Sequence, residues 1–144
     1  MEQDLQRFHT TITELLMIMG FESPDLNSNQ TVITLTIDDL FQIDCCAIDQ
    51  ESWVVSANMG PVDHYSLPKL QSYLRKNAPS DYIWQPTFAI DEDNRLLYWL
   101  RLPLNGIEIP MLLSIISAFI SDVNEQASIE NIFSLSSDGV ALLL

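Results

Sequence analysis

Two adjacent cysteines, Cys45 and Cys46, are the residues whose types most directly suggest chemistry, and they lie between Asp44 and Asp49. Thiolates and carboxylates bind metal ions, and a thiolate can act as a nucleophile. The stretch "LFQIDCCAI" is typical of a β-strand, in which neighbouring side chains point to opposite faces. Cys45 would then lie among apolar residues, and Cys46 would lie on the other face beside Asp44. The thiols therefore do not converge on one metal ion, and we expect neither a metal site nor thiol catalysis.

The two histidines give a similar result. His9 falls on the first predicted helix, where we expect a solvated side chain. His64 follows Asp63 and precedes Ser66, the composition of a catalytic triad, but residues so close in sequence rarely reach triad geometry. Ser66 is also the expected N-cap of a helix. The sequence predicts no catalytic residue, and an enzyme built on Asp63 and His64 or on Cys46 is a weaker alternative.

The net charge limits the kinds of partner that the protein is expected to bind. The chain carries 20 acidic and 6 basic residues, which gives a formal charge of −14. Phosphate binding depends on clustered lysine and arginine, so this composition argues against nucleic acid and equally disfavours anionic membranes. The field of the protein favours basic or amphipathic partners instead. The acidic turns lack the spacing of an EF-hand, so we assign them to turn formation and expect no calcium.

The sequence also favours a cytoplasmic protein. The N-terminal stretch lacks the basic start and the small-residue cleavage site of a signal peptide. The longest apolar run, "IPMLLSIISAFIS", is shorter than the ~20 residues that a bilayer span needs. Two adjacent cysteines do not make a disulfide framework. We therefore expect no membrane insertion and no cofactor.

Hydrophobic periodicity predicts the secondary structure. Apolar residues recur at helical spacing from about Asp4 to Met19, and Gly20 follows as a helix-end signal. Three strands joined by short turns come next and suit an antiparallel meander. A second helix follows its N-cap Ser66, two further strands flank the turn "DEDN", and an apolar helix closes the pattern. After the first helix the stretches are "TVITLTI", "LFQIDCCAI", "WVVSANMG", "SLPKLQSYLRKNAP", "YIWQPTFAI", "RLLYWLRLPL" and "PMLLSIISAFISDVNEQASIENIF".

This order, α-β-β-β-α-β-β-α, predicts an α+β fold. We expect a twisted antiparallel sheet of about five strands, with three helices on one face or at its ends. A length of 144 residues favours one domain. We place that domain at residues 1–133 and treat 134–144 as a short C-terminal tail.

Several elements carry more apolar surface than one small domain readily buries. In the last strand, Leu97 and Trp99 face away from Leu96 and its apolar neighbours. The first helix adds Met17 and Ile18 outside its main stripe, and the last helix adds Met111 and Ile115 in the same way. Such surplus surface marks association sites. We therefore expect a dimer, a peptide-binding surface, or both.

The chain resembles a known family, the small acidic class I chaperones of type III secretion systems, or Tir-chaperone group. The resemblance spans roughly Leu5 to Phe133 and includes "ITLTIDDLFQIDCCAID", "WVVSANMG", "LPKLQSYLRKNAP" and "TFAIDEDNRLLYWLRLPL" between two apolar helices. It implies a homodimer without catalytic activity. Such a chaperone binds the N-terminal segment of a cognate secreted effector in the bacterial cytosol and keeps it export-competent. Strand addition at a sheet edge and apolar anchors in grooves would supply the contacts.

The resemblance also nominates residues. Helix two and the strand after it would form the dimer contact, through Leu70, Tyr73, Leu74, Tyr82 and Trp84. Helix one and the sheet would form the effector-binding grooves, through Phe8, Ile12, Leu16, Val32, Leu97 and Trp99.

Two further alternatives fit the same surface physics. A protein-interaction module of the same fold could regulate by sequestering a partner that is not secreted. A purely structural subunit of a larger assembly is the other alternative. A neighbouring gene for a secreted effector would favour the chaperone over the sequestering module. A discrete soluble dimer with no stable partner inside such an assembly would count against the structural subunit.

Overall fold

The computed structural model describes residues 5–38 and 40–137, and for 127–137 it describes the backbone. This part of the chain forms three α-helices, five β-strands and a short 3₁₀-helix. In chain order they are α1 (Gln6–Ile18), β1 (Val32–Ile37), β2 (Phe41–Ala47), β3 (Ser52–Pro61), the 3₁₀-helix (Val62–His64), α2 (Leu67–Lys76), β4 (Thr87–Ile90), β5 (Arg95–Pro103) and α3 (Ile109–Ser137).

The strands form one antiparallel sheet in the order β1-β2-β3-β5-β4. β1, β2 and β3 are the predicted meander, in which Ile33 lies opposite Cys45 and Cys45 opposite Val55. β5 pairs with β3, and β4 pairs with β5. β1 and β4 are therefore the two edges of the sheet. The predicted α+β class, element order and antiparallel sheet are confirmed.

Helix ends follow local signals in the sequence. Gly20 has a positive φ of 93°, which a residue without Cβ adopts freely, and it ends α1. The N–H of Phe21 then donates to the carbonyl of Leu16 at 2.9 Å, as in a Schellman motif. At the start of α2, Ser66 Oγ accepts from the N–H of Lys69 at 3.2 Å. The predicted cap at Ser66 is confirmed.

Two helix boundaries differ from the prediction. α1 begins at Gln6, and Asp4, where we expected the helix to start, lies outside the described residues. α3 continues past Phe133 to Ser137, because neither glycine nor proline interrupts this stretch. The remainder of the proposed tail, residues 138–144, lies outside the described residues.

β4 is much shorter than the predicted strand "YIWQPTFAI". It contains only Thr87–Ile90, which pair with the first half of β5. Pro86 has no N–H to donate to a ladder, so the strand starts just after it. Residues 81–86 form a loop instead, and this moves Tyr82 and Trp84 off the sheet.

The main hydrophobic core lies between one face of the sheet and the helices α1 and α3. Alternate strand residues face it, as period-two patterning requires, and Trp53 is fully buried at its centre. Within the described residues the indole Nε1 of Trp53 has no hydrogen-bond partner. The helices contribute Phe8, Ile12, Leu15, Leu16, Leu112, Ile116, Phe119 and Val123.

α2 packs on the end of the sheet through a second cluster of Tyr73, Phe88 and Leu96. The rings of Tyr73 and Phe88 stack with centroids 4.4 Å apart, and Phe88 continues to Tyr98 at 4.5 Å. Tyr98 in turn stacks on Phe119 of α3 at 5.1 Å. This aromatic row joins the two clusters, so α2 and α3 are positioned by the same sheet.

Asn77, the C-cap of α2, holds the edge strand β4. Its Nδ2 donates to the carbonyl of Phe88 at 2.9 Å, and the N–H of Phe88 donates to its Oδ1 at 2.8 Å. The amide therefore acts as a neighbouring strand would. These two bonds fix the end of α2 against β4, and with it the loop 81–86 between them.

Candidate protein-interaction surfaces

The cysteine pair is divided between the two faces of the sheet, as the alternation predicts. Cys45 belongs to the main core, and burial raises its pKa to about 12. Cys46 is half-buried on the outer face, where burial and then Asp44 raise its pKa. Asp44 itself accepts a hydrogen bond from Thr34 Oγ1 at 2.6 Å. In the described part of the chain, no three histidine, cysteine or acidic side chains are grouped so that they could hold a metal ion.

The histidines have structural positions. His9 Nε2 donates to the carbonyl of Gln30 at 2.7 Å, so it joins α1 to the loop before β1. The expectation of a simply solvated side chain is wrong, because the loop folds back onto this helix turn. His64 is exposed in the 3₁₀-helix, and the hydroxyl of Ser66 is occupied as an N-cap.

Three residues nominated for effector binding lie inside the monomer. Phe8, Ile12 and Leu16 are buried in the main core under the sheet. Their helical spacing puts them on one face of α1, and that face packs on the sheet rather than facing solvent. In this conformation they cannot contact a cargo, and we assign them to the core.

The other three nominated residues lie on the outer face of the sheet. Val32 is 43% exposed at the start of the edge strand β1. Leu97 and Trp99 are half-buried on β5, with Trp99 between Ser56 of β3 and Thr87 of β4. The prediction that Leu97 and Trp99 face away from the core is confirmed. Their role in binding stays a prediction.

The residues nominated for the dimer contact divide in the same way. Tyr73 is buried, and its hydroxyl donates to Gln126 Oε1 at 2.9 Å. Leu70 is half-buried against the second hydrophobic cluster, which Tyr73 forms with Phe88 and Leu96. In contrast, Leu74 is 64% exposed and Tyr82 is 78% exposed. Tyr73 is therefore a core residue, and Leu74 and Tyr82 remain available to a partner.

The four most exposed large apolar side chains of the described residues lie in α2 and in the loop that leads to β4. Leu67 and Leu74 lie two helical turns apart on one side of α2, and Tyr82 and Ile83 follow in the loop. Large apolar side chains that are scattered singly need no explanation, whereas a run of them marks an association surface. We call this run the α2 patch.

An apolar groove lies between residues 81–86 and α3. It encloses about 540 Å³, and we call it the loop–helix groove. Leu100 and Phe119 form its buried floor, and its walls are lined by Ile83, Trp84, Pro86, Met111, Ile115 and Ala118. β5 continues to Pro103, whereas β4 pairs with it only as far as Trp99, so the missing half of β4 leaves this space open.

Sequence reasoning found only part of this groove. Met111 and Ile115 were recognised as apolar residues outside the main stripe of α3, and Trp84 was assigned to the dimer contact. Ala118 was missed, because a small residue on a long apolar helix gives no signal of its own. Pro86 was the available signal, since it predicts that the strand stops and the chain before it must go elsewhere.

A polar pocket of about 550 Å³ adjoins Trp84 at the far end of β5. Arg101 there donates to Asp49 at 3.3 Å and to Ser52 Oγ. The N–H of Glu51 and the hydroxyl of Ser52 donate to Asp49 and lower the pKa of its carboxyl group. The carboxylate thus takes its partners from the β2–β3 turn and from Arg101 of β5, and the arrangement is that of a stabilised turn.

No helix in the described ranges is both long and apolar enough to cross a membrane.

Comparison with known proteins identifies the family of the chain. The sequence profile of the Tir chaperone protein (CesT) family matches residues 10–126, from within α1 to within α3. The chain belongs to the Tir chaperone protein (CesT) family. The match includes every strand of the sheet and all of α2. No curated protein matches the sequence significantly.

Solved structures share the fold of this Tir chaperone family member. The Yersinia pestis type III secretion chaperone SycH, solved with a stable fragment of YscM2, matches at 22% identity over 83% of this chain and 98% of that chain, with a TM-score of 0.66. The ExoU–SpcU complex of the Pseudomonas aeruginosa type III secretion system gives 17% identity, coverage of 81% and 95%, and 0.66. The HopA1–SchA chaperone–effector complex gives 14%, coverage of 87% and 95%, and 0.67. At these identities the likeness concerns the fold.

Proposed function

We propose that this protein is a non-catalytic chaperone that binds the N-terminal segment of a type III secreted effector in the bacterial cytoplasm and keeps it soluble and export-competent. The observation that carries the proposal is the family match over residues 10–126, which includes the whole sheet. The similar structures support it, since their descriptions include a type III secretion chaperone with a bound fragment and a chaperone–effector complex.

The edge strand β1 supports binding of an extended segment. Within the described residues it pairs with β2 on one side only, so its other side offers backbone donors and acceptors to an added strand, apart from the Val32 carbonyl, which accepts from Gln30 Nε2 at 3.0 Å. Val32, Thr34 and Thr36 are exposed along it, whereas Ile33 and Leu35 are buried. An added strand could therefore gain ladder hydrogen bonds without disturbing the core.

The α2 patch supports a homodimer. Leu67, Leu74, Tyr82 and Ile83 are each more than half exposed in the single chain. A second copy of the same patch would remove this apolar surface from water, which stabilises association by roughly 25 cal/mol per Å² buried. A two-fold interface of this kind uses the same patch on both subunits.

The absence of catalysis is part of the proposal. Cys45 is buried with a raised pKa, and Ser66 is engaged as a helix cap.

The alternative of an interaction module that sequesters a non-secreted partner uses the same surfaces. The family match and the chaperone–effector complex among the similar structures favour the secreted cargo.

The test is affinity purification of the tagged, full-length chain from its own bacterium, with bound proteins identified by mass spectrometry. We expect one stoichiometric secreted partner whose N-terminal segment is protected in limited proteolysis. Recovery of a non-secreted regulator, or of no partner, would overturn the proposal.

The outer sheet face is tested in the same experiment. Trp99→Asp places a charge beside Leu97 on this face, and Gln50→Asp places the same charge in the exposed β2–β3 turn as a control. We expect Trp99→Asp alone to weaken cargo binding by at least ten-fold. If it stays folded and binds cargo as the wild type does, Trp99 is not an anchor.

A further inference from the structure

We propose that the loop–helix groove binds a cargo segment in which a large apolar side chain is followed by lysine or arginine. This inference rests on the proposed chaperone function and adds to it a site and a sequence preference. The groove is separate from the edge of β1, and it adjoins the α2 patch, with which it shares Tyr82 and Ile83.

The apolar half of the site has the properties of a ligand pocket. Its volume of about 540 Å³ lies within the roughly 300–1,000 Å³ of small-ligand sites. The floor residues Leu100 and Phe119 are buried, while Met111 on the wall is 58% exposed. An apolar anchor placed here would cover Met111 and Ile115. It would supply the packing that β4 would give if the strand began before Pro86.

The loop that forms one wall is already held in place. Gln85 Nε2 donates to the carbonyl of Ala78 at 2.7 Å and to that of Lys76 at 3.2 Å. Ser80 Oγ donates to Gln85 Oε1 at 2.6 Å. Trp84 packs against the main core. The groove is therefore preformed, and a ligand does not have to order the loop when it binds.

The groove continues into an acidic pocket of about 390 Å³, which shares Tyr82, Pro86 and Asp122 with it. Glu125 and Lys76 also line this second part. With Asp81 in the groove, the side chains lining both parts include three carboxylates and one ammonium group.

Tyr98 holds the central carboxylate of this pocket. Its hydroxyl donates to Asp122 Oδ2 at 3.1 Å, and burial together with the nearby Asp122 raises the pKa of Tyr98. Tyr98 therefore stays a neutral donor that orients the carboxylate. A cationic side chain next to the apolar anchor would find its charge partner at Asp122 and Glu125.

Charge complementarity favours cargo over a second copy of the chain as the occupant. A second copy that placed the same groove here would bring Asp81 and Asp122 against their own equivalents. Like charges placed together oppose association. A basic segment gains from the same field.

The test uses two fluorescein-labelled synthetic peptides and the full-length protein. Both peptides carry leucine and isoleucine anchors, followed by lysine in one and by glutamate in the other. Fluorescence anisotropy measures each affinity. We expect the lysine peptide to bind at least five-fold more tightly, with a difference that shrinks as salt is raised.

Two pairs of variants locate the binding. Ala118→Glu fills the groove, and Ser117→Glu adds the same charge at the next, exposed position of α3, which does not line the groove. We expect Ala118→Glu to lose at least ten-fold and Ser117→Glu to lose little. Met111→Glu gives a second groove variant at an exposed position if Ala118→Glu is unstable.

The double variant Asp122→Asn/Glu125→Gln tests the acidic end. It should weaken the lysine peptide by about five-fold and remove the preference over the glutamate peptide, because exposed charge pairs contribute about 0.2–1 kcal/mol each. The control is Glu14→Gln/Asp25→Asn, which removes two exposed carboxylates outside the lining.

Four outcomes would overturn the inference. One is equal binding of the two peptides, and another is equal loss in Ala118→Glu and Ser117→Glu. The third is conversion of a dimer to a monomer by Ala118→Glu in light scattering, which would assign the groove to a second copy. If the natural cargo still co-purifies with Ala118→Glu at wild-type yield, this inference fails while the proposed function stands. If the wild-type protein retains no secreted partner, the proposed chaperone function itself is refuted.

Discussion

The amide of Asn77 provides a sharp test of how the loop–helix groove is positioned. It exchanges two hydrogen bonds with the backbone of Phe88, at 2.9 and 2.8 Å, and these fix the end of α2 to the edge strand β4. Asn77→Ala removes both bonds and leaves the two backbone groups of a buried residue without these partners. Because a neutral hydrogen bond contributes about 0.5–1.5 kcal/mol net, we expect a loss of about 2 kcal/mol in the free energy of unfolding.

The measurement is urea unfolding followed by circular dichroism, together with thermal unfolding. For a chain of this size a 2 kcal/mol loss corresponds to a fall in Tm of about 4–8 °C. Hydrogen exchange gives a local readout, because the amide of Phe88 should lose protection in the variant. Asn29→Ala, in an exposed loop position before β1, is the matched control.

Asn77→Asp separates the two bonds. The carboxylate can still accept from the N–H of Phe88, but it faces the carbonyl oxygen of Phe88 with no proton to donate. We expect a loss at neutral pH at least as large as that of Asn77→Ala, and a smaller one below about pH 4, where a protonated aspartate can donate. If Asn77→Ala unfolds within 0.5 kcal/mol of the Asn29 control, as judged against the roughly 1 kcal/mol net value of one such bond, and Phe88 keeps its protection, the reasoning is refuted.

Two further predictions concern the cysteines and α2. At pH 8 iodoacetamide should label Cys46 in the folded protein and reach Cys45 only after unfolding in urea, because burial raises the pKa of Cys45 to about 12; equal labelling of both thiols in the folded state would contradict this. Leu74→Asp should convert the dimer to a monomer in light scattering, whereas Gln50→Asp, in the exposed β2–β3 turn away from the α2 patch, should not; a dimeric Leu74→Asp would exclude α2 from the contact.

Local patterns in the sequence were sufficient to predict the architecture. Alternation in β1 and β2 correctly put Ile33 and Cys45 toward the core, since side chains alternate between the faces of a strand whatever lies around it. Helix ends were equally local, because Gly20 and Ser66 act through bonds within one or two turns. The turn at "DEDN" works without glycine, because Asn94 adopts a φ of 58° that asparagine tolerates.

The surfaces were predicted less well, for a physical reason. A helical stripe shows that Phe8, Ile12 and Leu16 share one face of α1, but not whether that face meets the sheet or a partner. Apolar residues are used for both purposes, and only the packed structure separates them. The same holds for Tyr73 and Leu74, which are adjacent in sequence but differ from buried to mostly exposed.

The sequence by itself therefore determined the net negative charge of the protein, the order of its helices and strands, and which face of each strand points to the core. These properties depend on residue type and on contacts a few positions apart. The tertiary structure alone decided where β4 stops along β5, that residues 81–86 stand off the sheet, and that Asp122 of α3 lies beside Tyr98 of β5. Each of these depends on groups that are distant in the chain and meet only when α2, the sheet and α3 pack together.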